Sequence, residues 1–166
     1  MNRIKSSQEI QRAGNEVTDI KCVEFGTTLD GNRSLPNFEL CFTYGGCEIW
    51  MAEDNDYDSQ QIEKETLCRI YDENRESFSQ AVVPVLQKML DGEKISYGLP
   101  GSHQLELARD NHFVLYDNMI DDNLIAVIPY PAYGLAEIAQ MINDWAYGRC
   151  NPIKGREGIW SIYDEQ

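Results

Sequence analysis

The run FELCFTYGGCEIWM, Phe38 to Met51, constrains the fold more than any other stretch of the chain. Two alternating segments meet at Gly45-Gly46, a pair that tolerates the positive φ of a two-residue hairpin turn. With the turn fixed, the register is fixed: Tyr44 faces Cys47, Phe42 faces Ile49 and Leu40 faces Met51, giving one apolar side. Thr43 with Glu48 and Cys41 with Trp50 make the other side. One face of this ribbon is therefore expected on a core and the other mostly in water. Cys41 and Cys47 fall on opposite faces, which disfavours a disulfide between them.

Elsewhere the period lengthens. Leu67, Ile70, Tyr71, Phe78, Val82, Leu86 and Met89 recur at helical spacing and predict helix over 59–90, in two segments with a kink or restart near Pro84. Leu135, Ile138, Met141, Ile142 and Trp145 predict a second helical region over 133–147, stopped by Gly148. The capping-box spacing of Ser6-Ser7-Gln8-Glu9 predicts a short helix ending near Gly14. Ile20 to Phe25 reads as a strand followed by the polar connection GTTLDGNRSLP. QLELARDNHFVLYD reads as a hairpin turning at Asp110-Asn111, LIAVI as a central strand and GIWSIY as a final strand. Hairpins with helices inserted between them predict an α+β fold: one globular domain over 1–166, with an antiparallel sheet of about six to seven strands.

No run approaches the roughly 18 apolar residues of a membrane span, and the N-terminal segment has no apolar signal-peptide core. The five cysteines include no C-x-x-C pair, so reduced thiols and a cytoplasmic location are expected.

Charge sets this chain apart. The formal net charge is −14, and it is concentrated. Between Ser34 and Glu63 there is no Lys or Arg, and seven acids lie there; between Asp110 and Gly148 there is again none, and six acids lie there. The remainder is close to neutral. A field of this sign repels phosphate, so direct nucleic-acid binding and anionic membranes are not expected, and a basic protein is the expected partner.

Chemical motifs are sparse. Numbering Asp54 as the first position of a calcium loop puts Asp56, Asp58, Gln60 and Glu65 where oxygen ligands belong. Ser59 occupies the position that needs glycine, however, and the preceding segment reads as a strand. The run is better read as an acidic helix entry favoured by the helix dipole, and no metal site is expected. His103 and His112 fall on opposite strands of the second hairpin, His112 opposite Arg109, and roughly 20 Å apart at about 3.3 Å per residue. Gly98-Leu99-Pro100-Gly101 lacks the spacing of a phosphate cradle, and no cofactor is expected.

In size, acidity and lack of catalytic signature the chain is similar in kind to bacterial toxin-immunity proteins, and to phage or plasmid anti-restriction and anti-CRISPR proteins that imitate nucleic-acid charge. The resemblance implies an inhibitor that sequesters a basic protein such as a nuclease toxin. The partner-binding residues expected from charge and aromatic content are Trp50, Glu53, Asp54, Asp56, Tyr57, Asp58, Asp117, Asp121, Asp122, Tyr130 and Tyr133. The alternative is a small hydrolase or transferase whose carboxylate and His or Cys come from distant segments.

Overall fold

In a computed structural model, described for residues 16–30, 33–52, 62–117 and 123–165, eight strands form one sheet. They are β1 (Val17–Asp30), β2 (Arg33–Tyr44), β3 (Cys47–Trp50), β4 (Ser96–Leu99), β5 (His103–Leu107), β6 (His112–Asp117), β7 (Asn123–Pro129) and β8 (Trp160–Ser161). Helices α1 (Lys64–Glu73) and α2 (Arg75–Leu90) lie between β3 and β4, and α3 (Leu135–Tyr147) lies between β7 and β8. The strand order is β1-β2-β4-β5-β6-β7-β8, and β3 also pairs with β2. All pairings are antiparallel except β2 with β4. The architecture is α+β, and the segment expected to form a short helix before Gly14 lies outside the described residues.

The Gly45-Gly46 hairpin has the expected register, with Tyr44 opposite Cys47, Phe42 opposite Ile49 and Cys41 opposite Trp50. Met51 N–H donates to the Leu40 carbonyl at 2.9 Å and extends the pairing by one step. The expectation of a wet second face fails in part. Cys41 is fully buried, and Asn37 and Glu39 on the same face of β2 are buried too.

Residues 26–30 and 33–36 are strand rather than loop. Gly26 has φ +80°, and the β1–β2 pairing slips between Glu24 and Thr27, then resumes through Asp30 opposite Arg33. The glycine makes a bulge, not an end. A second slip follows Asp19, which has φ +55°. The sheet edge at β1 is thus kinked twice, which hinders pairing with another chain.

The helical break falls at Asn74, not at Pro84. The Asn74 side-chain amide donates to the Ile70 carbonyl at 2.9 Å and closes the last turn of α1, and α2 starts one residue later. Pro84 lies inside α2 on its exposed side, as does Gln80, so the carbonyl that loses its partner faces solvent. The buried stripe of α2, including Phe78, Val82, Leu86 and Met89, packs against α3 and on the sheet at β1 and β2, where Phe78 meets the edge of Phe42 at 5.6 Å. Removing a ring buried this way costs about 3–5 kcal/mol.

Three further expectations need correction. The second hairpin turns over three residues, Arg109 to Asn111, with Asp110 and Asn111 both at positive φ, so His112 lies opposite Ala108 rather than Arg109. LIAVI forms β7 next to the two-residue β8, not a central strand; its apolar run reflects a bulge opposite Leu115 and Tyr116. GIWSIY contributes only Trp160–Ser161 as strand, and Ile162–Glu165 turn into a short helix.

Candidate functional site

The ribbon β1–β2–β3 carries an aromatic pair. Lys21, Cys41 and Trp50 are cross-strand neighbours in one row, and the bulge at Gly26 brings Phe25 over the indole. The two rings stack with centroids 4.0 Å apart and planes 22° from parallel. The Trp50 indole N–H donates to Glu48 at 3.1 Å, and Lys21 lies 4.0 Å from the same carboxylate. Burial, together with the nearby Glu48 charge, pushes the Cys41 thiol up to about 11. Trp50 is half-buried, while Phe25 remains 37% exposed.

One end of the sheet gathers polar groups. β3 ends beside Leu40, β4 runs parallel to β2 and ends at Leu99, Leu99 pairs with His103, and His103 pairs with Asp117. Asp117 and Asn123, which flank one acidic run, therefore sit at the same end of β5–β7 as His103. Here His103 Nδ1 lies 2.9 Å from the Pro100 carbonyl and must carry the proton, leaving Nε2 to face Asp117 at 3.8 Å. The imidazole stands edge-on to Trp145, whose indole donates to the Tyr163 hydroxyl at 2.9 Å.

Deeper in, Asp144 on α3 is buried and accepts from Tyr71 Oη at 2.5 Å, from Arg75 Nε at 2.7 Å and from a second Arg75 nitrogen. The Gln140 amide, oriented with its oxygen toward Arg75, accepts from both terminal guanidinium nitrogens. Burial, then the hydrogen bond to Asp144, raises the Tyr71 phenol well above its ordinary range. Tyr97 donates to Asn143 at 2.5 Å, and burial likewise raises Tyr97 and Tyr147.

The acids of the two cation-free stretches thus have different fates. Glu39 is buried and accepts from the Asn37 amide at 2.8 Å, Asp144 is the buried pin, and Glu137 meets Arg156 at 3.3 Å. Asp110 and Glu63 are exposed. Cations from the near-neutral remainder fold back onto Glu48, Glu137 and Asp144, a compensation the linear charge map conceals.

Of the expected partner-binding residues, Glu53, Asp54, Asp56, Tyr57, Asp58, Asp121 and Asp122 lie outside the described residues. Tyr130 and Tyr133 are half-buried before α3; Tyr133 donates to the Glu157 carbonyl, and Arg156 lies 5.7 Å over its ring. Trp50 belongs to the β1–β3 ribbon, whereas Tyr133 lies at the entry to α3. Phe25 escaped the sequence reading, because a lone aromatic before a glycine carries no period.

At the opposite end from His103, a cleft of about 310 Å³ opens where β4 begins, lined by Leu35, Met89, Leu90, Ile95 and Leu107 with Glu93, Lys94, Glu106 and Arg109 among its charged groups. Among the described residues no three His, Cys, Asp or Glu side chains converge as a metal site, and no helix is long and apolar enough to cross a membrane. The chain matches no family model, no curated protein and no solved structure.

Proposed function

We propose that this chain binds and sequesters a basic protein, in the manner of an immunity protein or a nucleic-acid-mimicking inhibitor. The observation that carries the reading is the distribution of charge: thirteen acids and no Lys or Arg in two stretches, of which, among the described residues, only Glu39 and Asp144 are buried, in a chain of net charge −14. An acidic surface speeds encounter with a cationic partner and orients it, with aromatic side chains supplying desolvated area.

The test is capture of a partner from the source cell followed by binding kinetics across salt. One dominant basic protein is expected, with affinity falling steeply as salt rises, because exposed charges are screened over about 10 Å at 0.1 M. Replacing Asp54, Asp56 and Asp58 together by Asn is expected to slow association. Tight binding indifferent to salt counts against charge as the driver.

One contact favours a second reading, a hydrolase or transferase built from distant segments: the pairing of His103 with Asp117. Under it, His103→Gln abolishes turnover of a substrate found by screening; under the first reading the same change leaves partner binding largely intact.

A further inference from the structure

Among the described residues three large apolar side chains are markedly exposed: Phe25, Leu124 and Trp160. Leu124 has no ring, and Trp160 stands on the two-residue strand at the far edge of the sheet. Phe25 carries a stacked ring partner. One face of its ring is backed by Trp50, and Trp50 is itself held by the hydrogen bond to Glu48. An exposed ring is costly to leave in water and is here held in one plane, which makes it a platform. The carboxylate that touches this pair is Glu48, which accepts from the indole, and the segment 16–50 as a whole carries six Asp or Glu against two Lys or Arg. One of those two cations, Lys21, already lies against Glu48.

We propose that the Phe25 ring, backed by Trp50, seats an arginine side chain of the basic partner. This rests on the reading of the chain as a binder of a basic protein, and it names which cation the surface selects. A planar, weakly hydrated guanidinium can lie flat on an aromatic face while its N–H groups reach a neighbouring carboxylate. A lysine ammonium is a compact, strongly hydrated charge and gains less from the same ring. Steering by the acids treats both cations alike; the platform separates them.

The experiment uses the full chain at low salt with an arginine oligopeptide and a lysine oligopeptide of equal length, followed by calorimetry and tryptophan fluorescence. The arginine peptide is expected to bind about two- to five-fold more tightly at this site. Phe25→Leu, which keeps an apolar side chain but removes the ring, is expected to abolish the preference by weakening the arginine peptide more than the lysine peptide. Trp50→Leu, which removes the backing, is expected to reduce it, with thermal melts establishing that both variants are folded. Equal binding of the two peptides, or a preference that survives in Phe25→Leu, overturns the platform and leaves the charge-based reading standing. If neither peptide binds, the reading of a basic partner fails and the platform fails with it.

Discussion

Arg75 and Asp144, 69 positions apart, meet through two nitrogens and two oxygens where α2 crosses α3. The guanidinium is about half exposed and the carboxylate is buried, so the pair is anchored by Asp144. Tyr71 adds a third hydrogen bond from α1, which ties all three helices to one carboxylate. Asp144→Asn is expected to cost about 2 kcal/mol, because it weakens charge-assisted hydrogen bonds at a group that solvent does not reach. Tyr71→Phe and Asp144→Asn together are expected to cost less than the sum of the two, since they remove a shared contact. Urea denaturation of the four proteins in the cycle checks this; additive losses would show that the three groups do not act as a unit.

Alkaline pH is expected to unfold the protein through its tyrosines. Tyr71, Tyr97 and Tyr147 are held protonated well above the ordinary phenol value, chiefly by burial. A phenol whose folded pKa is raised contributes stability that is fully present below the unfolded pKa of about 10 and is lost as pH rises beyond it. Each such group removes up to about 1.4 kcal/mol per pH unit above that point. Denaturation at successive pH values above 10, with tyrosinate absorbance recorded in parallel, is expected to show these three of the nine tyrosines ionising only as the fold is lost.

Gly98 is required by its neighbour across the sheet. A Cβ there would stand 2.7 Å from Asn37 Nδ2 and 2.8 Å from Oδ1, and the Asn37 amide is fixed by Ser96 at 2.9 Å and by Glu39 at 2.8 Å. Gly98→Ala is expected to destabilise by about 1–3 kcal/mol through overpacking. Adding Asn37→Ala removes the obstacle, so the double variant is expected to lose less than the sum of the single losses. A strictly additive result would locate the cost of Gly98→Ala elsewhere.

Thiol labelling is expected to be ordered by exposure. Cys47 and Cys150 are exposed, and Cys41 is buried with its pKa raised to about 11. At pH 8 the thiolate, which is the reactive form, is scarce and shielded at Cys41. Cys47 and Cys150 are expected to react first in the native protein, and Cys41 only on unfolding. Mass mapping of labelled peptides over time reads the order directly.

The legible parts of the fold were those written in local pattern. Gly45-Gly46 and strict alternation specified the β2–β3 register down to the residue pair, and helical spacing located α2 and α3 within a few positions. What escaped the sequence depends on partners far along the chain. Glu39 reads as an exposed acid until Asn37 and Ser96 are seen beside it, and Asp144 reads as surface charge until Tyr71 and Arg75 arrive from 73 and 69 positions away. Gly26 reads as the end of a strand until its positive φ is known. Of the candidate site, Trp50 was foreseen on the outer face of the hairpin, but not the Phe25 ring that stacks on it.

The sharing of β2 has a consequence for how the molecule opens. β3 and β4 line the same edge of β2 end to end, and β4 touches it only at Asn37 and Phe38, opposite Ser96 and Tyr97. That two-residue parallel contact is the seam between two sets of sequence-local pairings: β1 through β3, and β4 through β7. Each side closes over short loops, whereas the seam closes over the whole of α1 and α2. Amide hydrogen exchange is therefore expected to resolve two cooperative units, which protect and release their protons separately while the helices bridge them.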